Sequence, residues 1–176
     1  MKLMKVSKRL FELETESAFS ILAKANELSA QGKDIINLGI GQPDFETPKN
    51  IQEAAIKAIK DGKHGYTASN GILELREAIS NMLLTDYNNK ISPEEILITP
   101  GGKPVIFFSA LMFGGKENEI IYPDPGFPIY RSMIKYSGAK AVPLTLKEED
   151  NFNINIKKLE SLINEKTSLI IINNPQ

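Results

Sequence analysis

From Glu94 onward, short β-branched runs alternate with helical stretches, and this alternation restricts the fold more than any other feature of the chain. Residues 96–98, 119–122, 139–146 and 167–172 read as strands; residues 105–113, 127–136 and 155–163 read as helices. A β-α-β-α-β-α-β order predicts a three-layer α/β domain whose sheet is mainly parallel. Residues 168–172 are apolar almost throughout, as in a central strand covered on both faces. In such sheets ligands sit beyond the carboxyl ends of the strands. The Gly101-Gly102 turn, the Pro125-Gly126-Phe127 loop and the Asn173-Asn174-Pro175 loop are all expected at that edge.

The first of these loops carries the most chemical information. Residues 96–98 end at Pro100-Gly101-Gly102, and Pro104 suits the first turn of the following helix, where its missing N–H costs little. That helix is apolar almost all round, which predicts burial. A buried helix that begins on two glycines directs backbone N–H groups at an open space, a natural site for a phosphate.

Ahead of this region, residues 1–16 read as an arm of weak pattern. Residues 17–31 form a helix with Phe19, Ile21, Leu22, Ala25 and Leu28 at helical spacing. Residues 35–38 read as a short strand entering the loop Gly39-Ile40-Gly41-Gln42-Pro43-Asp44-Phe45. Thr47-Pro48 reads as a helix start with threonine as cap, and Ile51, Ala54, Ala55, Ala58 and Ile59 as the buried face. A polar loop around Tyr66 then leads to a helix over residues 73–87. The last strand runs into a loop with no closing helix, so the sequence predicts a piece of a longer domain.

Several function classes are disfavoured. Twenty-one basic residues oppose twenty-two acidic ones, which gives no nucleic-acid or anionic-membrane surface. The absence of cysteine removes disulfides and thiolate catalysis and fits a cytoplasmic protein. His64 is the only histidine, too few for a multi-histidine metal site or a histidine-dependent triad, and no metal is expected. No run approaches the ~18 apolar residues of a membrane span. A nucleotide P-loop would need glycine in place of Leu97 and serine or threonine in place of Pro104. A dinucleotide fingerprint at Gly39-Ile40-Gly41 fails at Asp44, where its third glycine belongs. What remains is a phosphate held by backbone amides.

Five segments, in order, resemble a known family. They are Asn37-Leu38-Gly39-Ile40-Gly41-Gln42-Pro43-Asp44-Phe45; Gly65-Tyr66-Thr67 with Gly71 and Leu75-Arg76-Glu77; Thr99-Pro100-Gly101-Gly102-Lys103; Pro123-Asp124-Pro125-Gly126-Phe127-Pro128-Ile129-Tyr130; and Ile172-Asn173-Asn174-Pro175-Gln176. Together they resemble the N-terminal portion of the fold-type I pyridoxal-phosphate-dependent aminotransferases of class I/II, the aspartate aminotransferase-like group.

The resemblance implies a division into residues 1–45, an arm with the first helix and a substrate loop, and residues 46–176, the first part of a large cofactor-binding domain. It implies pyridoxal 5'-phosphate as cofactor, with Gly102 and Lys103 at the turn whose amides hold the phosphate. Lys103 does not match the Schiff-base lysine, and no segment resembles that lysine's motif, so the chain alone is expected to be inactive. Phe127 matches the aromatic residue that covers the pyridine ring, where a flat side chain fixes the ring plane. Tyr66 matches a tyrosine that reaches the phosphate of the other subunit of a homodimer with shared active sites. Gly41 matches the loop glycine that meets the substrate carboxylate, and a turn glycine at positive φ is the plain alternative. Asn173 and Asn174 match loop positions without a cofactor role. The implied activity is exchange of an amino group between an amino acid and a 2-oxo acid. A carbon–sulfur lyase on the same fold is the nearer alternative. A non-catalytic cofactor-sensing regulator is the more distant one, since only the arm precedes the first helix and the charge is balanced.

Overall fold

The computed structural model describes residues 6–13, 17–39 and 41–174. The chain divides into two compact units, Met1–Gly39 with Gly102–Gln176, and Ile40–Gly101. In chain order the helices and strands are α1 (Ser17–Ala30), α2 (Lys49–Lys60), α3 (Leu73–Tyr87), α4 (Lys103–Phe113), β1 (Glu119–Asp124), α5 (Ile129–Ser137), β2 (Lys140–Thr145), α6 (Ile156–Leu162) and β3 (Thr167–Ile170). Short 3-10 turns occupy Lys8–Glu12, Pro93–Glu95 and Glu148–Asp150.

The first unit holds the sheet. Its order is β2-β1-β3, and both pairings are parallel. Side chains alternate across β1 and sort into two cores. Ile120 and Tyr122 meet Tyr130, Ile134 and Ala139 on one face, with Ile106 of α4 against them. Ile121 meets Val142, Leu144 and Leu146 on the other face, under Leu159 and Leu162 of α6. The three layers read from the sequence are therefore present, with α4 and α5 on one side and α6 on the other.

The placement of α4 follows from its far end. Ser168 Oγ and Asn118 Nδ2 donate to the Phe113 carbonyl at 2.6 and 3.1 Å, and Asn118 also reaches the Gly114 carbonyl at 3.1 Å. These bonds satisfy terminal carbonyls that the helix itself cannot. They hold the C-terminus of α4 at the amino end of the sheet. Eleven residues at about 1.5 Å each then carry its N-terminus roughly 16 Å back toward the carboxyl edge.

The amino edge also carries a charge cluster. Lys140 Nζ and Asn164 Nδ2 donate to Glu119 at 2.8 and 2.9 Å. Those two bonds, led by Lys140, lower the Glu119 pKa below its usual 4.5. A depressed carboxyl pKa stabilises the fold above the unfolded-state value and stops doing so as pH falls through the folded-state value. Glu119→Gln should therefore cost stability at neutral pH, and that cost should shrink as pH falls below the usual carboxylate range and the wild-type carboxyl takes up its proton. Urea midpoints measured from neutral pH down into acid check this; a gap between the two proteins that does not narrow as pH falls would contradict it.

In the second unit, residues 68–71 are fastened to the segment that follows α3. The Ile98 N–H donates to the Asn70 carbonyl at 3.1 Å, and the Gly71 N–H donates to the Ala68 carbonyl at 3.0 Å. Gly71 has φ +98°, and a Cβ there would lie 2.5 Å from Ile98 Cγ1.

Several sequence expectations are corrected. Residues 35–38 and 96–98 form no strand, because neither finds a ladder partner among the described residues. Ile36 and Leu38 are consequently exposed. The centre of the described sheet is β1; β3 lies at its edge and is half-buried. Pro48 itself occupies the cap position of α2, and no side chain caps that helix. The apolar face of α2 exists as a pattern but is not covered: Ile51 and Ile59 are exposed. The same holds for α4, where only Ala110 is buried while Val105, Phe108 and Met112 are exposed. An apolar surface buries only if something packs on it, and no described residue does so there. In the arm, residues 1–5 and 14–16 lie outside the described residues, as do the Phe19 side chain, Ile40, Pro175 and Gln176.

Candidate functional site

The glycine turn is the starting point. Thr99 Oγ1 donates to the Gly101 carbonyl at 2.6 Å, and Gly101 takes φ +86°. Gly102 is the cap residue of α4, at φ −82° and ψ −20°, and its carbonyl accepts the Ile106 N–H at 3.2 Å. That conformation suits any amino acid, and no atom lies within 4 Å of where a Cβ would stand. Neither backbone geometry nor packing demands glycine at this position. The missing side chain instead leaves space at the start of a helix that no side chain caps. An anion there meets the partial positive charge of the helix end, about 0.3–1 kcal/mol at an exposed site.

Phe127 faces the same place. It precedes α5 rather than opening it, since the helix begins at Ile129 with Pro128 as its cap. The Phe127 ring is half-buried against the core, and Tyr130 meets it edge to face, with centroids 5.8 Å apart and planes at 90°. Lys103 Nζ stands 5.9 Å from the Phe127 centroid, within cation–π range. The first residue of α4 and the loop after β1 thus converge at the carboxyl edge of the sheet, as the alternation of elements implied. Beside them, Phe127, Arg131 and Asp124 line a hollow of about 260 Å³. A second hollow of about 530 Å³ includes Asn173 and Asn174 together with Leu146 and Phe152, so the third loop also reaches this edge.

Gly102, Lys103 and Phe127 belong to one unit, whereas Gly41 and Tyr66 belong to the other. Tyr66 is fully exposed. No described atom lies within 4 Å of where a Cβ at Gly41 would stand.

One residue of structural weight had no assigned role in the sequence. Arg76 is the sole buried residue recorded for α3. Its signal was present: Arg76, Ile79, Ser80 and Leu83 share one helical face, so a charged residue occupies an inward register position. Among the described residues no group of three histidine, aspartate or glutamate side chains could hold a metal ion, and no helix is long and apolar enough to cross a membrane.

Residues 33–176 match the family model described as aminotransferase class I and II. The chain belongs to this family. Class I and II aminotransferases are generally pyridoxal-phosphate-dependent, and the open glycine turn beside an aromatic ring suits a phosphorylated flat heterocycle. The chain of this aminotransferase family is 36% identical over 170 residues to a probable aspartate/prephenate aminotransferase of Aquifex aeolicus, covering 97% of this chain and 43% of that protein. It is 37% identical over 172 residues to the aspartate aminotransferase of Bacillus subtilis, covering 98% and 44%. Among solved structures, aspartate aminotransferase from Thermus thermophilus with maleate superposes with a TM-score of 0.89 at 31% identity, covering 99% of this chain and 46% of that one. The aminotransferase chain therefore spans less than half the length of these relatives.

Proposed function

We propose that this chain is part of an amino-acid aminotransferase, which exchanges an amino group between an amino acid and a 2-oxo acid, and that these residues form its phosphate grip and ring cover. The observation that carries the reading is the convergence of an uncapped helix start at Gly102 with the Phe127 ring, bridged by Lys103. Pyridoxal phosphate, when bound, supplies the electron sink that aminotransfer needs. The residues of this chain bind and orient it. Backbone amides at the start of α4 hold the phosphate, and the Lys103 ammonium adds positive charge beside it. Phe127, pinned by Tyr130, fixes the plane of the heterocycle.

In this reading Tyr66 serves a second copy of the chain. Its phenol donates a neutral hydrogen bond to the partner's phosphate, and its full exposure suits a contact made in a homodimer. Gly41 leaves room for a substrate carboxylate to approach the backbone. Balanced charge and the lack of cysteine favour a cytoplasmic enzyme without a nucleic-acid partner.

Mixing the 176-residue chain with pyridoxal phosphate, aspartate and 2-oxoglutarate tests the assignment. Saturable cofactor binding without amino-group exchange is expected, because no segment resembles the family's lysine motif. Failure to bind the cofactor, or turnover by the chain alone, would contradict it.

A further inference from the structure

Arginine is among the residues least often buried, and it stays buried only where its donors find acceptors. Arg76 is 6% exposed on a helix whose apolar residues are no better covered. Its Nε donates to the Gly71 carbonyl at 3.2 Å, and its Nη1 donates to the Pro93 carbonyl at 2.7 Å. Nη1 also lies 3.3 Å from Glu94 Oε1, but that carboxylate is mostly exposed and holds the guanidinium weakly. The two carbonyls are the stronger claim. Gly71 ends the loop that carries Tyr66; Pro93 opens the 3-10 turn after α3. Arg76 therefore joins the segments on either side of α3 at the base of the Tyr66 loop.

Residues 68–71 are held further by the Asn70–Ile98 and Gly71–Ala68 bonds and by the contact of Gly71 with Ile98. Tyr66, two residues upstream of this fastened turn, is fully exposed. We propose that Arg76 is a positioning residue for cofactor binding: by fixing the base of the loop through the Gly71 and Pro93 carbonyls, it sets where the Tyr66 phenol stands. The proposal rests on the cofactor reading above. A lysine cannot replace it, because one ammonium on a flexible stem lacks the rigid fork that spans both acceptors.

The test is a double-mutant cycle on pyridoxal phosphate affinity, using the wild-type chain, Tyr66→Phe, Arg76→Lys and the double variant. Tyr66→Phe should lose about tenfold, the worth of one hydrogen bond to a charged group. Arg76→Lys should lose a similar factor, and the double variant should lose no more than either single one. A merely structural Arg76 would give losses that multiply. Should Arg76→Lys fail to fold, one glycine inserted after Thr67 uncouples Tyr66 from the fastened turn at an exposed loop. That insertion should match Tyr66→Phe in affinity. No loss from the insertion, no loss from Arg76→Lys, or multiplying losses would overturn the clamp alone. A wild-type chain that does not bind pyridoxal phosphate, or a Tyr66→Phe variant that binds unchanged, would overturn the cofactor reading and the clamp with it.

Discussion

Replacing Phe127 by alanine is expected to weaken pyridoxal phosphate binding by about tenfold to thirtyfold, or roughly 1.5–2 kcal/mol. The ring is pinned edge to face by Tyr130 and packs against the core built on Ile120 and Ile134, so its plane is set before any ligand arrives. A preset plane lowers the ordering cost of binding. Truncation removes the flat surface and also some core packing, and the two effects need separating. Phe127→Leu does this, since it keeps apolar volume and removes the ring. Urea unfolding should show Phe127→Leu near wild-type stability, while equilibrium titration shows a loss close to that of Phe127→Ala. Inorganic phosphate should bind all three proteins alike, because its partners at Gly102 are untouched. Unchanged cofactor affinity in both variants would remove Phe127 from the site.

Gly126→Ala is expected to cost about 2–4 kcal/mol of stability and to lower cofactor affinity at the same time. A Cβ at Gly126 would lie 2.3 Å from the Pro123 carbonyl oxygen and 3.2 Å from its carbon. Backbone atoms of a buried strand end cannot turn aside as a flexible side chain can. Pro123 is buried in β1, between the two hollows at the carboxyl edge. The loop must shift instead, and Phe127 is its next residue. Thermal unfolding reads the stability and titration reads the affinity. A variant that melts and binds like the wild type would show that the close approach of residue 126 to Pro123 has no consequence.

The two predictions concern residues whose roles were unequally visible in the sequence. Alternation from Glu94 onward was enough to read the layers, because β1, β2 and their helices are completed by one another: Ile120 and Ile121 find partners on both faces within residues 102–174. The errors share one physical cause. Residues 96–98, α2 and the outward face of α4 have the right local pattern but lack a partner among the described residues, and a pattern specifies a surface without supplying what covers it. For the same reason β3 reads as a central strand from its apolar run, while among the described residues it pairs with β1 alone. The convergence of the Gly102 turn and Phe127 at the carboxyl edge was legible because turn chemistry and strand ends are local. For Arg76 only the inward register position was visible; its acceptors at Gly71 and Pro93 were not, because they lie on other segments and backbone carbonyls leave no mark in a sequence.

The central claim is that the start of α4 grips a phosphate while Phe127 covers the attached ring. Amide and aromatic resonances of the isotopically labelled chain, followed during titration with pyridoxal phosphate, test it most directly. The account predicts saturable shifts at the Gly102, Lys103 and Val105 amides and on the Phe127 ring, with unphosphorylated pyridoxal leaving the amides of α4 nearly unmoved. Shifts that map instead to the hollow beside Asn173 and Phe152, or amide shifts equal for the two ligands, would contradict it.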